Sequence, residues 1–293
     1  MLSPEKKSAP KSEIKIKETV NPCETIDSNS ILPFLKWAGG KRWLCSHLKE
    51  VVGSIGGRYI EPFLGSGAVF FSLRPRSAIL SDSNRELVAT YRAIQLQPFA
   101  VARHLALHHS LHGKEYYYKV RSAVPEGFAQ KAARFIYLNR TCWNGLYRVN
   151  LNGEFNVPIG TKTSVLLGSD DFPSTSQTLQ SATLIAGDFE VAIDQAQAGD
   201  VVFCDPPYTV RHNNNGFVKY NEQLFVWQDQ VRLKDSLERA QARGARVFVT
   251  NADHESVREL YSGNFKTTAL KRFSPIGGTN AVRGKYSELL ISG

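Results

Sequence analysis

The sequence has few cysteines and no long apolar segment. Its four cysteines, Cys23, Cys45, Cys142 and Cys204, are scattered and form no C-x-x-C pair. That spacing fits a reducing compartment and predicts neither a disulfide framework nor a metal site. No apolar run is long enough to cross a bilayer, and the first residues lack the layout of a signal peptide. We therefore expect a cytoplasmic protein that needs no membrane and no metal.

Phosphate-binding motifs are also incomplete. The stretch "FLGSG", Phe63 to Gly67, lacks the third glycine of G-x-G-x-x-G, and no Walker lysine lies nearby, so phosphate transfer is not expected. Gly65 and Gly67 would nevertheless let the backbone approach a flat ligand. Asp82 ends the next predicted strand, about where an acid accepts hydrogen bonds from ribose hydroxyls. The pattern predicts a nucleoside cofactor without phosphates, although a glycine turn after a strand can also be only a tight turn.

Basic residues exceed acidic ones, and the excess is local. The chain carries 36 Lys and Arg against 27 Asp and Glu, a net charge of +9. From Arg85 to Lys162 there are eleven basic and four acidic residues, whereas residues 1–30 hold five of each. Such a segment either binds a polyanion, because neutralised phosphates release counterions, or is a solvated basic face. Charge alone does not separate these two alternatives.

The order of predicted elements indicates an α/β core with an insert. Apolar runs that end in turn residues or acids predict the strands of an open α/β sheet. These runs lie on both sides of a middle segment that has a different pattern. From Leu87 to Leu138 the apolar residues recur at helical spacing, and Asn-Gly turn signals after Asn139 predict a β-hairpin. Residues 1–30, rich in Lys, Glu and Ser, are predicted to be a disordered tail. An amphipathic helix around Gln228–Arg243 and a closing β-hairpin complete the prediction.

The stretch "VVFCDPPYTV", Val201 to Val210, leads a strand into an acid, two prolines and a tyrosine. Proline lacks a backbone N–H and forces the preceding residue into extended geometry, so the strand is predicted to stop at Cys204. An ordinary strand-ending turn is one interpretation. The other is amine methylation by S-adenosylmethionine, in which a carboxylate and a proline carbonyl accept the two N–H bonds of an exocyclic amine, and a tyrosine stacks on an extruded base. The candidate catalytic residues are Asp205, Pro206, Pro207 and Tyr208.

Eight blocks along the chain carry a family resemblance. They are "FLKWAGGK", "EPFLGSG", "LSDSNREL", "LNRTCWNGLYRVNLNGEFNVPIG", "GDFE", "DVVFCDPPY", "TNADHESVRELY" and "ELLISG". Their order is that of the Dam-type DNA adenine N6-methyltransferases, which the sequence resembles from about Phe34 to the C-terminus. In that family a target-recognition domain is inserted between the glycine motif and the Asp-Pro-Pro-Tyr motif, and the basic helical segment lies at that place here.

The resemblance implies a fold and a reaction. The implied fold is a Rossmann-like, S-adenosylmethionine-dependent methyltransferase core with a mostly helical DNA-recognition insert that bears a β-hairpin. We expect residues 31–84 and 183–293 to form the catalytic domain and residues 85–182 to form the insert. The implied reaction moves a methyl group from S-adenosylmethionine to the N6 amine of adenine in double-stranded DNA, within GATC, by base flipping. We also expect a monomer in solution that is encoded by a bacterium or a phage.

The resemblance also implies which residues bind the cofactor. Lys41 is expected to meet the methionine carboxylate, Asp82 the ribose and Asp188 the cofactor adenine. The full implied set is Trp37, Lys41, Phe63, Gly65, Gly67, Asp82, Asp188, Phe189 and Asp205.

A second implied set contacts DNA. Lys36 and Arg148 are expected to read guanines, and Arg148 would do so by a bidentate contact. Trp143 stands where the family usually has tyrosine and is expected to wedge beside the flipped base. Lys162 also departs from the family pattern, and both departures bear on flanking-sequence preference. The full implied set is Lys36, Trp143, Asn144, Leu146, Arg148 and Pro158.

Two other functions stay open at this point. One is a DNA-binding regulator that kept the fold and lost activity, against which the intact Asp205–Tyr208 motif, Asp82 and the glycine turn argue. The other is methylation of cytosine N4 or of RNA, because the same chemistry serves any exocyclic amine. The match of the insert to adenine-specific relatives argues against this second alternative.

Overall fold

The computed structural model describes residues 13–14, 31–37, 39–150, 152–210, 225–273 and 285–293. The chain divides into two compact units: a larger unit of residues 25–203 and 242–245, and a smaller unit of residues 1–24, 204–241 and 246–293. In chain order the described elements are β1 (Glu13–Ile14), α1 (Cys45–Val52), β2 (Tyr59–Glu61), α2 (Ala68–Leu73), β3 (Ala78–Asp82), α3 (Arg85–Leu96), α4 (Pro98–Leu111), α5 (Lys114–Ser122), α6 (Phe128–Thr141), α7 (Phe172–Leu179), β4 (Ala182–Ala186), α8 (Phe189–Ile193), β5 (Val201–Cys204), α9 (Trp227–Ala242), β6 (Arg246–Ala252), α10 (Glu255–Leu260), β7 (Lys266–Phe273) and β8 (Lys285–Ser292).

The strands of the larger unit form a parallel sheet in the order β5-β2-β3-β4. Tyr59 pairs with both Ala78 and Val201, so β2 lies between β3 and β5. Strands β2 and β5 are buried along their whole length, as expected for parallel strands covered on both faces. This burial explains why the sequence shows continuous apolar runs rather than alternation. The predicted end of β5 at Cys204 is confirmed.

The segment between β3 and β4 is mostly helical in the described part of the chain, as predicted. Helix α3 begins at Arg85, and the Asn84 side chain caps it by accepting a 3.0 Å hydrogen bond from the Leu87 N–H. The predicted hairpin follows α6, where Val149 and Phe155 form an antiparallel bridge. The fold is therefore mixed α/β with a helical, hairpin-bearing insert, as expected for a Rossmann-like core. The functional boundaries at residues 84 and 183 stay a prediction.

The smaller unit is built on antiparallel pairing. Strand β8 lies between β6 and β7 and is antiparallel to both, so the predicted closing hairpin of β7 and β8 is confirmed. Strand β1 runs parallel to β7, while the rest of residues 1–30 lies outside the described residues, so the tail stays a prediction. Helix α9 is the predicted amphipathic helix and begins one residue early, at Trp227. No described helix combines the length and the apolar character needed to span a membrane.

Candidate active site and nucleic-acid interface

The glycine turn after β2 has two positions that favour glycine. Gly65 has φ +46° and Gly67 has φ +65°, in the left-handed region that side chains disfavour. A Cβ at Gly65 would lie 2.8 Å from Cδ1 of Trp37, which is a clash. The turn therefore brings bare backbone against the Trp37 ring.

Asp82 ties the end of β3 to this turn. Its Oδ2 accepts a 3.0 Å hydrogen bond from the Gly65 N–H, and its Oδ1 accepts one of 2.9 Å from the Asn84 N–H. Burial raises the pKa of Asp82, and the two backbone hydrogen bonds oppose this shift. Each carboxylate oxygen has more than one lone pair, so the group can also accept hydrogen bonds from the hydroxyls of a ligand.

Trp37 and the buried Lys41 precede this turn in the chain. The Trp37 ring stacks on Tyr147, with centroids 5.8 Å apart, and on Phe135 at 6.3 Å. Lys41 is only 5% exposed, and its ammonium donates a 2.9 Å hydrogen bond to the Gly39 carbonyl. A buried cation of this kind suits an anionic group of a ligand, because burial strengthens the attraction.

A second aromatic contact in the larger unit joins the segment after β2 to the start of α8. The Phe63 and Phe189 rings stack with centroids 5.5 Å apart. Asp188 is exposed and caps α8, since its Oδ1 accepts a 3.0 Å hydrogen bond from the Glu190 N–H. Bare backbone, a hydroxyl acceptor, aromatic faces and a buried cation together fit a nucleoside that carries an amino-acid tail.

The Asp-Pro-Pro-Tyr motif belongs to the smaller unit and is held by its strands. The Thr250 hydroxyl on β6 donates a 2.6 Å hydrogen bond to Oδ1 of Asp205. The Tyr208 hydroxyl donates a 2.8 Å hydrogen bond to Oε2 of Glu288 on β8. Burial raises the pKa of Tyr208 well above its usual range, and the nearby Asp205 and Glu288 carboxylates raise it further. Tyr208 is thus a neutral donor at every physiological pH.

The sequence analysis missed both of these partners. Thr250 is the first residue of the block "TNADHESVRELY", and Glu288 is the first of "ELLISG". Each is a polar residue at the end of an apolar strand segment, beside Val247–Val249 or Leu289–Ile291, and this signal could have identified them. Their pairing with the motif depends on strand register, which the sequence does not show.

Lys36 is held beside the predicted DNA-contacting turn by Asn139 of α6. The Asn139 amide accepts a 2.9 Å hydrogen bond from the Lys36 N–H and donates one of 2.7 Å to the Lys36 carbonyl. The same amide donates a 3.3 Å hydrogen bond to the Gly145 carbonyl. Partial burial lowers the pKa of Lys36, and the neighbouring Lys162 ammonium lowers it further. Two cations therefore lie close together at this turn.

The turn presents large side chains to solvent. Trp143 is 52% exposed and Leu146 is 42% exposed. Asn144, between them, has the uncommon φ of +56°, and the Trp143 N–H donates to the Pro158 carbonyl at 2.9 Å. On the hairpin that follows, the exposed Arg148 donates a 2.9 Å hydrogen bond from Nε to Asn156. Exposed aromatic, apolar and guanidinium groups suit contact with DNA bases.

Arg140, a buried residue of α6 that the sequence analysis did not identify, anchors the region around the turn and hairpin. The Arg140 guanidinium forms a bidentate ion pair with Asp170, with both N–O distances 2.6 Å. It also donates to the carbonyls of Phe34 and Val165. Because Phe34 lies two residues before Lys36, this network joins the N-terminal block to α6 and the loop after the hairpin.

The predicted residues thus fall into three groups. The residues predicted to bind the cofactor lie in the larger unit, except for Asp205. The residues predicted to contact DNA all lie in the larger unit as well. The predicted catalytic residues, Asp205 to Tyr208, lie in the smaller unit. Within the larger unit, direct contacts join Trp37 to Gly65, and Lys36 to the Gly145 turn. Among the described residues there is no group of three or more His, Cys, Asp or Glu that could hold a metal ion.

Comparison with known proteins agrees with this chemistry. The family described as D12 class N6 adenine-specific DNA methyltransferase matches residues 37–275. The Type II methyltransferase M1.LlaDCHI of Lactococcus lactis subsp. cremoris is 35% identical over 272 residues, covering 90% of this chain and 95% of that protein. The Type II methyltransferase M.MjaIII of Methanocaldococcus jannaschii is 34% identical, with coverages of 89% and 98%. The DNA adenine methylase of Vibrio cholerae is 31% identical over 263 residues, with coverages of 88% and 94%. This chain therefore belongs to the D12 class of N6 adenine-specific DNA methyltransferases.

Proposed function

We propose that this enzyme methylates the N6 amine of adenine in GATC sites of double-stranded DNA, using S-adenosylmethionine and flipping the target base out of the duplex. The observation that carries the proposal is the half-buried Asp205 at the end of β5, followed by two prolines and a tyrosine fixed by hydrogen bonds. This arrangement offers two acceptors and a flat ring to one planar amine. The proposed enzyme is a cytoplasmic monomer, encoded by a bacterium or a phage.

Asp205 and the Pro206 carbonyl activate the amine. The lone pair of an adenine amine is delocalised into the ring, so the nitrogen is a poor nucleophile. When the Asp205 carboxylate and the proline carbonyl each accept one N–H bond, the nitrogen is drawn toward tetrahedral geometry and its lone pair is localised. Pro207 stiffens the turn, and the Tyr208 ring stacks on the extruded base. S-adenosylmethionine, when bound, would supply the methyl: the carbon–nitrogen bond to N6 would form as the methyl–sulfur bond breaks with its electron pair left on sulfur, and the N6 proton would pass to water.

The larger unit binds the cofactor. Lys41 holds the methionine carboxylate, Asp82 accepts the ribose hydroxyls, and Asp188 accepts the adenine amine. Gly65 and Gly67 permit close backbone approach, and three aromatic rings line the ligand. These rings are Trp37, Phe63 and Phe189.

The turn and hairpin after α6 read the DNA. Trp143 wedges into the stack beside the flipped adenine, and Lys36 and Arg148 contact guanines. Asn144, Leu146 and Pro158 contact the remaining bases. The proposal of GATC rests on the resemblance of the block "WNGLYR" to GATC-reading enzymes. The basic excess between Arg85 and Lys162 supplies the phosphate attraction, apart from the buried Arg140, which pairs with Asp170.

Expression in a methylation-deficient host, followed by mapping of modified bases at single-nucleotide resolution, tests the proposal. We expect N6-methyladenine at GATC. Methyladenine at another sequence would refute only the specificity, whereas N4-methylcytosine would refute the substrate.

The roles in the motif are tested by Asp205→Ala and by the isosteric Asp205→Asn. Both should lower the single-turnover rate by about 10²–10⁴-fold with DNA binding intact, because a positioned catalytic group is removed. Asp235→Ala, which changes an exposed aspartate of α9, is the matched control and should keep full activity.

A further inference from the structure

The register of β6 and β8 places two polar side chains on one face of the smaller unit's sheet. Thr250 pairs with Leu290, and Ala252 pairs with Glu288. Paired residues of antiparallel strands share a face, and so do residues two apart on one strand. Thr250 and Glu288 are therefore diagonal neighbours on the same face.

The Thr250 hydroxyl donates a short hydrogen bond to Asp205, and it is also a hydrogen-bond neighbour of the Tyr208 hydroxyl. The Thr250 side chain is fully buried, and the 2.6 Å distance to Asp205 Oδ1 is that of a hydrogen bond to a charged oxygen. The Cys204 carbonyl is farther from the same hydroxyl, at 3.5 Å. The hydrogen bond to Oδ1 fixes the plane of the carboxylate, and with it the direction in which Oδ2 can accept an N–H.

Glu288 holds the other end of the motif. Its Oε2 accepts the Tyr208 hydroxyl at 2.8 Å, which fixes the rotation of a ring that is only partly buried. Since Tyr208 is a neutral donor and Glu288 a carboxylate, this hydrogen bond is charge-assisted. The motif is thus fixed at its first residue by β6 and at its last by β8.

We propose that Thr250 and Glu288 are positioning residues of the methyl transfer, an inference that rests on the proposed function of Asp205 and Tyr208. Thr250 sets the carboxylate that accepts the adenine N–H, and Glu288 sets the ring on which the flipped base stacks. Neither residue touches the substrate. Both therefore affect the rate of methyl transfer more than the affinity for cofactor or for DNA.

Thr250→Val tests the first role, because valine keeps the shape and removes the hydroxyl. We expect a loss of about 10–100-fold in the single-turnover rate, as for a lost hydrogen bond to a charged group, with unchanged dissociation constants for S-adenosylhomocysteine and DNA. Thr250→Ser restores the hydroxyl and should recover the rate to within a few-fold. Thr268→Val, the same change at a buried threonine of β7, is the matched control and should keep the wild-type rate.

A double-mutant cycle of Glu288→Ala and Tyr208→Phe tests the second role. If Glu288 acts by holding the Tyr208 hydroxyl, the double variant should be no slower than the more impaired single variant. DNA carrying 2-aminopurine at the target adenine gives an independent readout, since its fluorescence reports how the flipped base is stacked. Glu288→Ala and Tyr208→Phe should change that fluorescence alike, whereas Glu288→Gln, which keeps an acceptor oxygen, should change it less.

These outcomes separate the inference from the proposed function. If Asp205→Ala keeps its activity, the proposed function of the motif is wrong. If Asp205→Ala is inactive while Thr250→Val transfers methyl at the wild-type rate, or while the Glu288 and Tyr208 effects simply add, the positioning roles are wrong and the proposed function stands. Should Thr250→Val not fold, Thr250→Ala, which also removes the hydroxyl, takes its place, and a wild-type rate in that variant would contradict the role of Thr250.

Discussion

The amide of Asn139 makes two hydrogen bonds to the backbone of Lys36, although 103 residues separate them in sequence. It accepts from the Lys36 N–H at 2.9 Å and donates to the Lys36 carbonyl at 2.7 Å. Asn139 is 1% exposed, so these bonds form away from competing water. The pair fixes where the Lys36 side chain emerges relative to the turn at Gly145.

Asn139→Ala should therefore destabilise the protein and weaken its binding to DNA. We expect a decrease of about 1–3 kcal/mol in the free energy of unfolding, because two backbone groups lose their partner, and a lower affinity for DNA. Denaturant unfolding and equilibrium DNA binding measure the two effects. Asn139→Asp puts a buried carboxylate oxygen against the Lys36 and Gly145 carbonyls, so it should destabilise the protein at least as much as Asn139→Ala. Wild-type DNA affinity in a folded Asn139→Ala protein would contradict the proposed role of Lys36.

Asp82→Ala should lower both cofactor affinity and stability. The carboxylate accepts hydrogen bonds from the backbone N–H groups of Gly65 and Asn84, so its removal leaves two donors unpaired and loosens the glycine turn. We expect a decrease of about 1–3 kcal/mol in the free energy of unfolding and weaker binding of S-adenosylhomocysteine by calorimetry. Asp82→Asn retains one acceptor oxygen and should lose less stability. Unchanged affinity would mean that Asp82 only shapes the turn.

Arg148→Ala should relax specificity at one base pair. If the Arg148 guanidinium makes a bidentate hydrogen bond to a guanine, the variant should lose roughly 1–3 kcal/mol of discrimination between guanine and other bases at that position. Activity on GATC would fall, while activity on sites altered at that base pair would fall much less. Kinetics on single-base variants of the site, at two salt concentrations, measure this.

A control and a contrary outcome are available for Arg148. Asn156→Ala removes the side chain that accepts the Arg148 Nε–H and should reduce discrimination less than Arg148→Ala does. A uniform loss on all sites, with the salt slope reduced by about one, would identify Arg148 as a phosphate contact. Lys36 and the turn from Trp143 to Leu146 would then have to account for the sequence specificity.

His108 on α4 should make stability depend on pH in a defined range. Its ring stacks on Tyr137, with centroids 4.9 Å apart, and its Nδ1 hydrogen bonds with the Tyr116 hydroxyl at 2.9 Å. Burial lowers the pKa of His108 to about 4, with further contributions from His104 and Arg134. Between about pH 6.5 and pH 4 the unfolded chain therefore binds a proton that the folded protein does not.

Stability should consequently fall as the pH is lowered through that range. Unfolding experiments at several pH values between 7 and 4 measure the decline. In His108→Gln the decline should be shallower, because the titrating group is gone. His109→Gln, at an exposed position of the same helix, is the control and should follow the wild type. An equal pH dependence in His108→Gln and wild type would contradict the lowered pKa.

Much of the fold was predictable because its signals are local. Apolar runs predicted the strands, and prolines marked the end of β5 at Cys204. The hairpin of β7 and β8 also follows from nearby residues. Each of these features depends on backbone preferences and on hydrogen bonds within a few positions. Short motifs such as "FLGSG" and "DPPY" likewise indicated the class of reaction.

The partners of the site residues were not predictable, because they come from distant parts of the chain. Asp205 meets Thr250 across 45 positions, Tyr208 meets Glu288 across 80, and Lys36 meets Asn139 across 103. The sequence by itself indicated the family, the candidate site residues and the approximate positions of the strands and helices. Only the tertiary structure decided which side chains hold them in place, because strand register and helix packing, and not local propensity, bring such residues within hydrogen-bond distance.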